Sequence, residues 1–445
     1  MLEYIPLGLA LGALALLLVA PWFGWERTLL TIFLGASVIA PWPLVLVDGV
    51  HYGITTGQLV PTTYSVALVA LAAISLTRRG QRIPWSWYVV AMAIFFAAWM
   101  AVAWNGTPNQ WSGVSHMMLA TIALALAFGI GARSRADASL EASLVKAATT
   151  LIVIELLLVV VQLSGFAISI YPELQYFLGE GRPLGSFNHP STLGKFVAIL
   201  QLPLLIAASG AKADLRRWAW LGILAGIPAT ALTQSRANTL AVVAAIVIWL
   251  VLSRNDTLRG GRRLGGFVAI SVVAVPGLNV ALERFAVDAS GGDRASLLSV
   301  GLSQIARTPL VGTGPNNYVE VVGIIDATTA AGYPIHVAPL LSIAELGFVG
   351  GVLFWLPPFV VLVQALHSFG AGTASRSSAT AYVATFPGLM LIAFTGWGVL
   401  SASTLAVWWF VIGYASGKMT KTAQDWSLTG LDALELDERR AVPRA

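Results

Sequence analysis

The 445-residue sequence predicts an all-α, polytopic integral membrane protein, with about 12–13 transmembrane helices and a long extracytoplasmic loop containing short amphipathic helices. Two observations carry that prediction. Residues of the AVILMFWYC class make up 57% of the chain and charged residues 11%, under half of the roughly 25% usual in a soluble domain. The apolar residues are also gathered into runs of about 20, the length needed to cross a hydrocarbon core about 30 Å thick. A formal net charge of +5 does not indicate a nucleic-acid partner, because the 26 Lys and Arg are spread between apolar runs rather than clustered in one basic face. The absence of cysteine excludes disulfides, thiolate metal sites and Cys nucleophiles.

Taken in order, the spans are expected near residues 5–22, 28–47, 60–77, 84–104, 113–131, 147–165, 190–210, 218–234, 237–252, 264–282, 337–365, 380–396 and 400–416. Their connectors alternate in charge. Arg78, Arg79 and Arg82, then Arg133, Arg135 and Lys146, then Lys212, Arg216 and Arg217, then Arg254, Arg259, Arg262 and Arg263, then Arg376, Lys418 and Lys421 mark the cytoplasmic side by the positive-inside rule. The stretches 48–59, 105–112, 166–189, 235–236, 284–336 and 397–399, rich in Gly, Pro, Asn, Trp and Tyr, face outward. No basic region precedes the first apolar run, so that segment is expected to stay in the chain. An odd count puts Met1 outside, although Pro21, Trp22 and Gly24 leave a re-entrant first segment and a count of twelve open. Three parts are expected: N-terminal transmembrane helices over 1–146, a catalytic transmembrane core over 147–417, and a solvated cytoplasmic tail over 418–445.

The informative residues are cations that break the sidedness rule: Arg182, Arg236, Arg284, Arg294 and Arg307. Arg236, in Thr233-Gln234-Ser235-Arg236-Ala237-Asn238, sits in a turn between two apolar segments close to membrane depth, where an ionisable group is costly and faces a cavity or a partner. The bland alternatives are snorkelling to the headgroups or pairing with Glu283. Arg182 lies in the turn-rich stretch 181–190, which leads into a span through Pro190. Lys195 adds a second cation near that end and reads first as a snorkelling side chain.

Residues 284–336 form the longest connector, and long ordered loops tend to carry function. Leu297, Leu298, Gly301, Leu302 and Ile305 have the spacing of an amphipathic helix lying along the membrane surface, ended by Pro309 and the turn 312–317. Gly312 and Gly314 follow no strand and lack a third glycine in frame, which argues against a dinucleotide site. His336 closes the loop. Beside out-of-place arginines it resists protonation and can accept a proton. His51, His116, His189 and His367 have no metal-ligand spacing, so no metal site is expected.

These residues resemble the O-antigen ligase and polymerase superfamily of membrane glycosyltransferases. The resemblance rests on His336 followed by Leu340, Glu345, Gly347 and Gly350; on Arg182 with Gly185 and Phe187; on Thr233, Ser235 and Arg236; and on Arg294 followed by Pro309, Gly312 and Gly314. It extends over residues 150–415. One departure is Val337, where family members usually carry Asn after the His. The resemblance implies a metal-independent, inverting transferase in the bacterial cytoplasmic membrane, without a cofactor, acting at the extracytoplasmic face. Its donor would be a glycan on undecaprenyl pyrophosphate; its acceptor would be a hydroxyl of a glycan, lipid or protein, and membrane lipids would surround it. By the same resemblance, Arg182, Arg236 and Arg294 contact the pyrophosphate, His336 and Arg294 are the catalytic pair with His336 as the base, and Glu345 supports the site; Lys195, the second cation near that end, is expected to support it too. A polymerase of lipid-linked repeats is the nearest rival reading. A lipid-linked glycan transporter is more distant, since no related halves with matching broken helices are visible.

Overall fold

A computed structural model describes residues 24–38, 62–77, 84–134, 137–166, 176–179, 181–210, 212–253, 294–369 and 373–420. The expected spans at 5–22 and 264–282, the second half of 28–47, Arg284 and the tail from residue 421 lie outside these residues. The described fold is built of helices. The order is α1 (Trp25–Val38), α2 (Thr63–Thr77), α3 (Ser86–Ala103), α4 (Pro108–Arg133), α5 (Ala138–Leu163), α6 (Tyr176–Gly179), α7 (Pro190–Gly210) and α8 (Ala213–Leu232). There follow α9 (Arg236–Leu252), α10 (Arg294–Arg307), α11 (Tyr318–Val322), α12 (Ala327–Ala330), α13 (Ala338–Ser368), α14 (Thr373–Phe394), a 3-10 turn (Trp397–Leu400) and α15 (Ala402–Met419). Six of the described helices, α3, α4, α5, α7, α13 and the Ser375–Phe394 part of α14, are long and apolar enough to cross a membrane, which makes this a polytopic membrane protein. Lipid offers no hydrogen bonds, so each apolar run must satisfy its own backbone by coiling into a helix. Pro203, Pro228, Pro357, Pro358 and Pro387 are carried inside helices on those terms.

The core centres on α15, where Trp408, Trp409 and Tyr414 are fully buried. Trp409 stacks on Phe354 of α13 at a centroid distance of 5.0 Å. The tightest packing is between α15 and α4. A β-carbon at Gly413 or Gly417 would lie 2.1 Å from the carbonyl oxygen of Leu124 or Phe128, and one at Gly131 would lie 2.2 Å from that of Tyr414. Backbone-to-backbone contact of this kind is how small residues hold membrane helices together when lipid removes the hydrophobic drive between them. The pairing of 124 with 413 and 128 with 417 also shows that α4 and α15 run parallel, so both begin at the same end of the bundle.

The far end carries two ion pairs among the described residues. Arg133 meets Glu26 at 2.8 Å and Lys418 meets Glu141 at 3.1 Å, with the Tyr414 hydroxyl donating to the same Glu141 oxygen. Both cations belong to the set expected in the cytoplasm. At the near end the chain departs from expectation. The span foreseen as continuous over 337–365 is interrupted: Gly347 in α13 has φ 71° and ψ 176°. The interruption frees backbone groups, and residues 309–314 take them up. Phe348 N donates to Pro309 O, Thr313 N to Ala344 O and Gly314 N to Glu345 O, each at 2.8 Å. Gly312, also at φ +71°, lies so close to this break that a β-carbon would sit 2.4 Å from the Glu345 carbonyl.

The second correction concerns α10. Its helix is where the spacing placed it, but Leu297, Gly301 and Ile305 turn into the protein instead of lying on lipid. Gly301 and Ile305 pack in the cluster of Tyr318, Ile335 and Leu341, because the interrupted start of α13 offers a nearer apolar partner than the bilayer. Leu302 of the expected stripe is 50% exposed.

Two glycines on α4 test this packing. A β-carbon at Gly129 would have nothing within 4 Å, whereas one at Gly131 would meet the α15 backbone. Gly129→Ala should leave thermal unfolding in detergent unchanged or raise stability by up to about 1 kcal/mol, since Ala is the better helix former. Gly131→Ala should destabilise by about 1–3 kcal/mol through overpacking. Equal melting temperatures for the two variants would contradict the close approach.

Candidate active site

Among the helices that begin at the near end are α4, α7, α9, α13 and α15, and the site is assembled from the first turns of α7 and α9, the start of α10 and the segment that enters α13. Residues 181–189, which lead into α7, are held from below by α5. Gln162 of α5 accepts from Leu184 N at 3.0 Å and Gly185 N at 2.8 Å, and donates to Gly185 O at 2.8 Å. Glu155, two turns back on the same face, accepts from Ser186 N at 3.0 Å and from the Ser186 hydroxyl. These polar side chains satisfy loop backbone that would otherwise be stranded at membrane depth. They thereby fix the position of half-buried Arg182.

Gly181 joins this loop to the α8–α9 turn, its carbonyl accepting from Gln234 Nε2 at 3.1 Å. Gln234 adopts φ 57°, a left-handed conformation uncommon outside glycine, which lets α8 stop and α9 restart within three residues. Arg236 is then the first residue of α9, with Ser235 at the N-cap position. Within the same first turn, Asn238 donates to Ser191 O at 2.8 Å and to the Ser235 hydroxyl at 2.7 Å, tying α9 to the first turn of α7. Lys195, 3% exposed, donates to the Ser191 hydroxyl at 2.7 Å. A β-carbon at Gly396, beside the 3-10 turn, would lie 2.9 Å from its Nζ. Lys195 is therefore enclosed by protein and does not reach for headgroups, which corrects the snorkelling expectation.

Arg294 begins α10 and is exposed. It acts electrostatically on both Lys195 and His336. His336 is half-buried, and its Nδ1 lies 3.2 Å from Pro334 O. A carbonyl only accepts, so Nδ1 carries the proton and Nε2 is left as the lone-pair nitrogen. Burial is the main cause that lowers the His336 pKa below its ordinary 6.5; Arg294 and Lys195 lower it further, and the contact with Pro334 opposes them.

A path of chain neighbours and hydrogen bonds thus runs from Arg182 through Gly181, Gln234, Arg236, Asn238 and Ser191 to Lys195, and the charges of Lys195 and Arg294 then reach His336. The first turns of α7, α9 and α10 are all in this group, and their helix dipoles add partial positive charge. Arg307 is at the opposite end of α10, about 20 Å away by helical rise, and takes no part. Glu345 is 6% exposed and accepts from the backbone N–H groups of Asn316 and Tyr318, so its hydrogen bonds go to the 313–318 turn. Val337 occupies the N-cap position of α13 without a side-chain cap, the position at which Asn is the better residue. The sequence reading missed Glu155, Gln162, Ser191 and Asn238. Glu155 and Gln162 had a signal: they are polar, seven residues apart, in an otherwise apolar stretch of helix.

A family model described as O-Antigen ligase matches residues 203–355. This match supports an O-antigen ligase/polymerase superfamily assignment. The matched segment is about a third of the chain, narrower than the resemblance over 150–415, and contains Arg236, Arg294, His336 and Glu345. No curated protein matches the chain significantly. The superfamily implies a glycosyltransferase-type activity of a membrane protein, with lipid-linked glycan and membrane lipid as general partners.

The electrostatics predict a titration. The His336 pKa is depressed on folding, so the ring is neutral above its midpoint, and proton-accepting capacity is lost as pH falls through a value under 6.5. Lys195→Met or Arg294→Gln should move that midpoint upward, read by NMR of labelled histidine. A midpoint at or above 6.5 that neither variant changes would refute the coupling.

Proposed function

We propose that the protein is a metal-independent, inverting glycosyltransferase that takes a glycan from undecaprenyl pyrophosphate and joins it to an acceptor hydroxyl at the extracytoplasmic face of the bacterial cytoplasmic membrane. The observation that carries this reading is the grouping of a neutral, tautomerically fixed His336 with Lys195 and Arg294 at one end of the bundle. In this reading the acceptor oxygen attacks the anomeric carbon from the face opposite the diphosphate. The bond from that carbon to the phosphate oxygen breaks, its electron pair stays on the diphosphate, and the acceptor proton passes to Nε2 of His336. No glycosyl-enzyme intermediate is required.

Arg182, Arg236 and Arg294, with Lys195 behind them, would hold the diphosphate. Negative charge grows there as the bond breaks, and guanidinium donors already gathered at the site stabilise it through charge-assisted hydrogen bonds. Helix N-termini from α7, α9 and α10 add the same sign of field. These groups supply charge compensation that a divalent cation gives in other phosphate chemistry. Ligation of a finished polymer and extension of a lipid-linked repeat share this chemistry and differ in the acceptor alone. Ligation is the proposed reaction.

The test uses purified full-length protein with an undecaprenyl-pyrophosphate glycan and candidate acceptors, without nucleotide or added ions. Undecaprenyl pyrophosphate should be released. Arg294→Ala and His336→Ala should each lower the rate by about 10²–10³-fold, the usual effect of deleting one transition-state donor or a catalytic base. Unchanged turnover in both variants, with folding intact, would remove the assignment.

A further inference from the structure

A cavity of about 340 Å³ lies next to the His336 segment, lined by Asn109, Asn316, Glu320, Glu345, Pro334 and Leu341 among others. This volume falls within the range of about 300–1,000 Å³ typical of small-molecule sites. Its walls come from three parts of the chain: the first turn of α4, the 316–320 turn with α11, and the start of α13. Asn109 Nδ2 donates to Glu320 Oε2 at 2.7 Å across the rim.

The chemistry of this lining differs from that of the cation group. Among the described residues, the lining holds two carboxyl groups and two amides and has no cation. A diphosphate would be repelled by Glu320. Sugar hydroxyls, in contrast, donate to carboxylates and exchange hydrogen bonds with amides in both directions, while Pro334 and Leu341 offer apolar surface to the C–H face of a ring. Polar groups next in sequence to lining residues are also unfulfilled. Among the described residues, the Gln110 Nε2 and Tyr318 hydroxyl, on side chains 0% and 1% exposed, have no hydrogen-bond partner.

The cavity is coupled to the base by a short strut. Pro334 lines it, and the Pro334 carbonyl is the group that holds Nδ1 of His336. We infer that this cavity is the acceptor subsite and takes an uncharged sugar unit whose hydroxyl is presented to His336. The inference rests on the glycosyltransferase reading above and adds to it where the acceptor sits and what kind of acceptor it is. An anionic sugar such as a uronate would be disfavoured by Glu320. Asn109 and Glu320 become specificity residues, and the Pro334–His336 segment positions base and acceptor together.

The experiment is saturation-transfer NMR on the full-length protein in a detergent without a sugar headgroup. The probes are methyl α-D-glucopyranoside, glucuronate and inorganic pyrophosphate. The neutral glycoside should give a saturable signal that pyrophosphate does not displace and that glucuronate does not match. Glu320→Gln and Asn109→Ala should each weaken it by about tenfold, the effect of losing one good hydrogen bond to a partly buried group. No saturable glycoside signal, an equal signal in both variants, or displacement by pyrophosphate overturns the inference. Pyrophosphate retention, weakened in Arg294→Ala and kept in Glu320→Gln, reports on the diphosphate reading by itself. Failure of that reading is thereby told apart from failure of the cavity assignment.

Discussion

The near end of this protein depends on three backbone hydrogen bonds that cross from residues 309–314 to the interrupted helix α13. A helix broken at Gly347 leaves carbonyl and amide groups stranded near membrane depth, where each unmet group costs several kcal/mol. The outer segment meets them at Phe348, Ala344 and Glu345. Two consequences follow from this one repair. The loop from α10 to α13 is fastened to the bundle, so Arg294 and His336 are held on a common frame. The chain also approaches itself so closely at Gly312 and Gly347 that only hydrogen fits at those α-carbons.

Onto that frame the sequence delivers positive charge by two routes. Cationic side chains begin α9 and α10, and Lys195 lies in the first turns of α7. The dipoles of α7, α9 and α10 add partial positive charge in the same region. Concentrating like charge is costly to the folded protein; burial does most to depress the basicity of His336, and the charges of Arg294 and Lys195 add to it. Polar residues inside apolar helices offset part of it: Asn238, Ser191, Gln162 and Glu155 each tie a loop or a helix start to its neighbour. Stability given up at a site in this way is what a site for an anionic ligand requires, since the ligand restores it.

Much of this was legible from the amino acids. Runs of about 20 apolar residues dictated the helices, because lipid leaves the backbone no alternative. Arginines on the wrong side of the charge alternation pointed to Arg182, Arg236, Arg294 and their neighbourhood. The break in α13 was hidden for a physical reason: Pro357 and Pro358 are the obvious breakers in that stretch, yet they run on as helix, while the chain turns at Gly347, against a segment around Gly312 that is distant in sequence. The fate of the α10 stripe was equally hidden, since periodicity reveals an apolar face but not whether lipid or protein covers it. Lys195 illustrates the same limit, because its enclosure beside Gly396 depends on a segment far along the chain.

The contact between α4 and α15 has a further consequence, for how freely this chain can drift in evolution. Where two backbones touch, as at Gly131, Gly413 and Gly417, any larger residue forces the helices apart, so these positions tolerate almost no replacement. On the outward faces of α3 and α5, Val90, Ile94, Val102, Leu157 and Val160 are exposed, and one aliphatic residue serves there as well as another. Sequence divergence should therefore accumulate on the lipid-facing surface, while the glycine seam that aligns the helix starts stays nearly constant.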